Sequence, residues 1–314
     1  MHEQADLRDG VMDTLTRLAD TGTDVLVVVA DSTSTSKIGA FQGKHPTRVI
    51  NVGIAEQNMV GMAAGLALGG RVVFTANAAP FLVARANEQV KNDVCYSQTN
   101  VKMIGLNAGV TYGPLASTHH AIDDISIMSG FGNVQIFAPC DSVEAAQIVE
   151  YAAGMDGPVY IRLDNAKLSV LHDADYRFSP GHVDVIREGV ELLVIALGSV
   201  VGEADAACDA LAAEGIKPTL VNLSSLRPLD EPALLALLKS HRAVLTVEEH
   251  SLHGGIGARV AVLLACNGMA RAVRMLGIHE GEFAVYGTRA GIRKHYGLDA
   301  HGIAEAARHL IERD

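Results

Sequence analysis

The sequence predicts an α/β protein of two doubly wound domains, each a mostly parallel sheet with helices on both faces, the second domain smaller than the first. Three observations carry that prediction. Short β-branched and aliphatic runs alternate with helical patterns, which is the signature of parallel sheets crossed over by helices. The alternation breaks once, over residues 164–190, and then restarts. At 314 residues the chain also exceeds a typical single domain. The predicted boundaries are 1–172 for the first domain, 173–190 for a surface linker and 191–314 for the second.

An amphipathic helix, Leu7 to Ala19, leads through the turn Thr21-Gly22-Thr23-Asp24 into Val25 to Ala30. That run reads as a strand buried on both faces. Strands follow at Arg48–Val52, Val72–Thr75, Val101–Leu106, Val134–Ala138 and Val159–Leu163, with Pro139 and Pro158 as punctuation. Helical patterns at Ala55–Leu68, Leu82–Tyr96 and Val143–Ala153 lie between them. Residues 164–190 hold turn-rich stretches such as Ser179-Pro180-Gly181 and nothing longer than a short strand. The second unit reads as strand Leu192–Leu197, helix Gly202–Glu214, strand Pro218–Leu223, helix Glu231–Ser240, strand Ala243–Glu248 and a helix opening near Gly254.

Hydrophobic residues make up 49% of the chain and aromatic residues only 4%, with no Trp, so the cores must be built from Val, Leu, Ile, Ala and Met. The net charge of -11 argues against nucleic acid or an anionic membrane as the main partner, although local cations can still bind anionic substrates. Cys95, Cys140, Cys208 and Cys266 form no CxxC pair and read as buried free thiols. The opening MHEQADLRDG lacks a basic stretch followed by an apolar one, and Met59–Gly70 is too short and Gly-rich to span a bilayer. A cytoplasmic enzyme or enzyme subunit is expected.

In open parallel sheets ligands sit beyond the carboxyl ends of the strands, which draws attention to the turns after Ala30, Val52, Thr75 and Leu106. After Val52 comes Gly53-Ile54-Ala55-Glu56-Gln57-Asn58, and from Met59 onward the helix is apolar or Gly throughout, so it is expected to be buried all round. Glu56, in its first turn, could simply complement the helix dipole. On a helix without a solvent face it would instead enter a desolvated crevice, where a carboxyl able to share a proton suits acid–base work.

The segment Gly53-Ile54-Ala55-Glu56-Gln57-Asn58-Met59, followed by Gly61 and Ala63-Ala64-Gly65-Leu66-Ala67, resembles the pyrimidine-binding signature of transketolases and deoxyxylulose-phosphate synthases. The resemblance implies thiamine diphosphate as cofactor. It also implies that Glu56 bonds N1′ of the aminopyrimidine, favouring the imino tautomer that removes the thiazolium C2 proton, with Ile54 beside it at the cofactor. Ala30-Asp31-Ser32-Thr33-Ser34-Thr35 is similar to the family loop that places an Asp, here Asp31, near the cofactor and a hydroxyl, here Thr35, towards substrate. Read without the family, it is a hydroxyl-rich turn and cap. Ala79 to Val90 looks like the stretch whose aromatic residue stacks on the pyrimidine, which selects Phe81 and, on the same stretch, Arg85 as cofactor-binding residues.

The loop Gly109 to His120 carries two adjacent His residues, Thr118-His119-His120. No Cys or third His with ligand spacing lies nearby, so a metal site is not expected here. By resemblance His119 is the loop His that contacts substrate oxygens, where an imidazole can donate a hydrogen bond and shuttle a proton. The sequence then departs from the usual pattern. Transketolases of sugar phosphates typically carry Gly-Glu-Asp-Gly before this His, but here Gly113-Pro114-Leu115-Ala116 puts Leu115 at the acceptor-reading position. Asn107 replaces a His used for phosphate, and only Arg162 of an expected Arg pair remains. Thr35, Asn107, Leu115, His119 and Arg162 are the predicted substrate residues. The losses favour a modified, branched, unphosphorylated or sulfonated sugar as readily as the usual phosphorylated acceptor.

No Gly-Asp-Gly occurs in the chain, although the family binds the diphosphate through a divalent cation with such a run. The resemblance therefore implies a separate subunit that supplies the diphosphate and Mg2+ half, in an α2β2 or comparable assembly. The Gly-rich turn Glu248-Glu249-His250-Ser251-Leu252-His253-Gly254-Gly255 is not GxGxxG, and resembles the transketolase C-terminal domain, a structural and dimer-forming element. Two rivals stay open: the β subunit of a 2-oxoacid dehydrogenase decarboxylase, and a non-catalytic scaffold relative.

Overall fold

The computed structural model describes residues 3–312; Met1, His2, Arg313 and Asp314, at the outer ends of the two predicted domains, lie outside them. The strands in chain order are β1 (Gln4–Asp6), β2 (Val25–Val29), β3 (Val49–Asn51), β4 (Val72–Ala78), β5 (Val101–Leu106), β6 (Gln135–Phe137) and β7 (Val159–Arg162). Then come β8 (Lys167–Ser169), β9 (Asp184–Arg187), β10 (Leu192–Ala196), β11 (Thr219–Asn222), β12 (Ser225–Arg227), β13 (Ala243–Ser251) and β14 (Ala272–Ile278).

The first sheet has the order β12-β6-β7-β5-β4-β2-β3, parallel throughout except for β12. The aliphatic run of β2 and the mostly apolar β5 are buried along their whole length, as a strand covered on both faces requires. On one face Leu7, Val11 and Leu15 of helix Leu7–Asp20 pack with Ile148, Val149 and Ala152 of helix Ser142–Gly154. On the other, Met59, Val60 and Ala63 join Leu82 and Val90 in a core that runs on into Leu193, Ile195 and Val221 of the second domain.

The second sheet has the order β14-β13-β10-β11-β9, and only β9 is antiparallel. Two strands cross the predicted division of the chain. β9 lies inside the stretch read as linker yet forms the edge of the second sheet, while β12 leaves the second domain to close the first sheet against β6. Both are three- or four-residue segments too short to show a period. Among the described residues no helix is long and apolar enough to cross a membrane.

Two readings of the sequence are corrected. The helix Glu56–Leu68 is not buried all round: Met62 is 36% and Leu68 75% exposed, on a face shared with Gly65, and Ile54 just before it is 76% exposed. Apolar composition reports what a face can pack against, not whether this chain supplies the partner. Of the four thiols, Cys95, Cys140 and Cys208 are buried, but Cys266, at the end of helix Ile256–Cys266, is exposed.

A candidate active site at the carboxyl ends of the first sheet

Glu56 begins its helix immediately after the β3 turn, with its carboxylate almost wholly buried. The Arg85 guanidinium donates to one carboxylate oxygen at 2.6 Å, and the Asn77 amide, at the end of β4, donates to the other at 3.3 Å. Asn77 also pairs with the Ser32 hydroxyl in the turn after β2. Arg85 lies 4.5 Å from the centre of the Phe81 ring, a cation–π contact on the same helical stretch. Phe81 in turn meets the His119 ring edge-on at 5.1 Å, and Tyr112 meets it from another side at 5.4 Å. Glu56, Phe81, Arg85 and His119, four residues selected from sequence, thus form one connected cluster.

The loop geometry follows from backbone demands. Asp31 and Asn107 stand just past β2 and β5 with φ of 54° and 57°, the left-handed region that Asp and Asn tolerate best. Asn51 fastens two turns together, accepting from the N–H groups of Asp31 at 3.1 Å and Gly53 at 2.9 Å. Asn107 is buried, its side chain bonds the Tyr112 hydroxyl, and its carbonyl oxygen has no protein partner. Burial pushes the Tyr112 hydroxyl up, and that bond to Asn107 opposes the shift. His119 Nδ1 lies 2.9 Å from the Thr118 hydroxyl; when that hydroxyl donates, the ring proton sits on Nε2. Its neighbour His120 is buried, bonded to the Gly113 carbonyl at 3.1 Å and held below its ordinary range by burial, so it packs the loop.

The other predicted substrate residues spread out. Leu115 is half-exposed at the loop tip. Thr35 lies in the turn after β2, where Arg8 donates to its carbonyl at 2.9 Å and to that of Asn165 at 2.9 Å. Arg162 does not join the cluster. Its buried guanidinium is consumed by Asp124 at 2.9 Å and by the carbonyls of Ala121 and Glu249. A fully desolvated cation must spend its donors on internal acceptors, which is why this one serves the domain junction and not an open site.

Sequence reasoning missed Asn77, Asn51 and Arg8. An amide near the end of a mostly apolar strand was the available signal for Asn77; nothing local distinguished Arg8, which beyond its ion pair with neighbouring Asp6 reaches carbonyls 27 and 157 positions away.

Two further polar features bear on ligands. Among the described residues, two triads that share His172, Cys140-Asp141-His172 and Glu144-His172-Asp184, each approach closely enough for a metal. However, both ring nitrogens of His172 face carboxylates, Asp141 and Asp184, each at 2.9 Å. Against the burial that would lower it, those carboxylates raise the imidazole to about 10, so it stands as an imidazolium with no lone pair to offer. At the Gly-rich turn, Glu248 accepts from the N–H groups of Ile256 at 2.8 Å and Gly257 at 2.9 Å. A Cβ on Gly255 would collide with that side chain, so the chain fills this helix N-terminus with its own carboxyl group.

Comparison with known proteins identifies both domains. Residues 3–169 match the transketolase pyrimidine-binding domain and residues 181–303 the transketolase C-terminal domain. The chain is 53% identical over 286 residues to the B component of the apulose-4-phosphate transketolase of Actinobacillus succinogenes, covering 91% of this chain and 92% of the relative. It is 37% identical over 307 residues to the protein of the same name from Phocaeicola vulgatus, covering 98% and 97%. A solved split-gene transketolase, described as an inactive beta4 tetramer, superposes with a TM-score of 0.89 at 34% identity over 98% of each chain. The chain belongs to the transketolase family, as a split subunit that carries the pyrimidine-binding and C-terminal domains.

Proposed function

We propose that this chain provides the acid, the aromatic face and the substrate imidazole of a thiamine-diphosphate-dependent ketol transfer that a partner subunit completes. The observation that carries the reading is the placement of buried Glu56 beneath Arg85 and Phe81, with His119 against the same ring. A buried carboxyl group beside a half-buried aromatic ring fits an aminopyrimidine, which needs a group that can give and take a proton at a ring nitrogen and one flat apolar surface. When bound, thiamine diphosphate supplies the nucleophilic carbon that carries the two-carbon unit.

Within that reading Glu56 holds and releases a proton at the pyrimidine nitrogen, Phe81 stacks, and Arg85, Asp31 and Ile54 border the cofactor. His119 donates to substrate oxygens, with Thr35, Asn107 and Leu115 around the sugar. The diphosphate and Mg2+ belong to the partner, in an α2β2 assembly in the cytoplasm. The exposed apolar side chains of Ile54, just before Glu56, and of Met62 and Leu68 further along the same helix support a partner seated over this side of the molecule. The 53%-identical relative makes apulose 4-phosphate the first candidate ketose, with an aldose as acceptor.

The test is co-expression with a partner that carries the Gly-Asp-Gly run, followed by a ketol-transfer assay with apulose 4-phosphate and, for comparison, xylulose 5-phosphate. Glu56→Gln is expected to lower kcat on the order of 10²–10⁴ with the complex intact, the range a positioned acid–base group supplies. Full activity in Glu56→Gln would end the assignment. Calorimetry should find weak cofactor binding by the chain alone and tight binding by the complex.

A further inference from the structure

The loop that carries Tyr112, Leu115 and His119 is closed at its base by Gly109 and Ala121, whose backbones bond each other at 3.0 and 2.8 Å. Three further holds come from the second domain. Glu249, in β13, accepts the Val110 N–H at 2.8 Å, and the N–H of Ser251, two residues on, donates to the Ile122 carbonyl at 2.7 Å. At the loop's far side a Cβ on Gly113 would lie 2.6 Å from the carbonyl oxygen of Gly287, so the tip rests directly on second-domain backbone. Gly109 is fitted the same way: its φ is +63°, and a Cβ there would stand 2.7 Å from the Glu249 carboxylate.

Glu249 is itself pinned. Arg289 donates to it at 2.9 Å and Arg293 at 2.6 Å, and Arg289 also reaches Asp164, just past β7 of the first domain, at 2.9 Å. Although burial raises it, the two guanidiniums hold the Glu249 carboxyl well below the usual carboxylate range. One arginine fork therefore spans both domains and fixes the carboxylate on which the root of the His119 loop hangs.

We propose that Glu249 and Arg289 are positioning residues for His119, so that the second domain sets where the substrate imidazole stands. A buried ion pair is commonly no more than structural. Here one oxygen of the pair is committed to an N–H of the substrate loop, and the loop's two left-handed glycines are shaped against the second domain. What His119 does when so placed rests on the ketol-transfer reading; the clamp does not.

The experiment has two arms. In the chain alone, hydrogen exchange is followed at amides 110–121 and, as an internal control, along helix 56–68. Glu249→Ala and Arg289→Ala are expected to speed loop exchange about tenfold and to leave the helix unchanged, since only the loop's local opening is eased. Glu249→Gln keeps shape and acceptor, and Arg289→Lys keeps charge without the fork, so both should show a smaller rise in the same segment. If the alanine variants do not fold, these two carry the comparison. Loop exchange within about a factor of two of wild type in a folded variant overturns the clamp. In the complex with its partner, Arg289→Ala should raise KM for the ketose about tenfold, with cofactor affinity unchanged and partial rescue by Arg289→Lys. Unchanged KM with a loosened loop overturns the positioning of substrate. A wild-type complex without ketol transfer would sink the functional reading and leave the exchange result to decide the clamp.

Discussion

Arg85 lies across Glu56, its guanidinium 2.6 Å from the carboxylate and 4.5 Å from the centre of the Phe81 ring. Glu56 is buried to its tip while Arg85 keeps half its side chain in solvent, so the cation closes the acid off from the open side. The two residues sit 29 positions apart on helices that meet only because β3 and β4 flank β2.

Removing that cation should weaken cofactor binding. In the assembled complex Arg85→Ala is expected to raise the Kd for thiamine diphosphate about tenfold, the scale of one charge-assisted hydrogen bond. Calorimetry on wild type, Arg85→Ala and Arg85→Lys checks it, with Lys intermediate because it lacks the planar fork. Equal affinity in all three would remove Arg85 from the cofactor site.

His119 should matter to turnover more than to assembly. His119→Ala is expected to lower kcat/KM by roughly 10²–10³, and His119→Asn, which keeps a donor, by less. Steady-state kinetics separate the roles: a loss confined to KM means binding, and a loss in kcat means proton transfer.

The apolar face beside Glu56 gives an assembly prediction. Met62→Glu places a charge midway along the exposed apolar side of this helix and should weaken association with the partner subunit about tenfold or more by sedimentation. Because Met62 already meets solvent, the melting curve of the chain alone should barely move. Undiminished association would show that the partner seats elsewhere.

The Asp141–His172–Asp184 cluster predicts a pH dependence of stability. The folded imidazole titrates near 10, raised from 6.5, so its contribution is complete below about 6.5 and fades as pH climbs through about 10. His172→Ala should cost about 3–5 kcal/mol at neutral pH by urea unfolding, as breaking a buried ion pair does, and much less at pH near 10. A variant penalty that stays constant across that window would refute the charged state.

Much of this was open to inspection in the linear chain. The run Val25–Val29 could be read as a buried strand because continuous β-branched residues have few other stable fates. Glu56 stood out at the start of a helix just past a strand end, where parallel sheets expose chemistry, while Phe81, Arg85 and His119 were legible through their resemblance to the transketolase pattern. Arg162 misled for a related reason: it ends β7, yet it points into the domain junction. Cys266 and the outer face of the Glu56 helix show the same limit in packing, since composition states an affinity for burial and not the supply of a neighbour.

The sequence by itself determined the two α/β domains and their central strands, because periodicity and turn chemistry act over a few neighbouring residues. Only the tertiary structure decided that Arg85 would pair with Glu56, that β12 would return to the first sheet, and that Glu249 and Arg289 would hold the loop of His119. Those contacts join residues from 29 to more than 100 positions apart, and their geometry depends on how two sheets twist and dock, which no local pattern encodes.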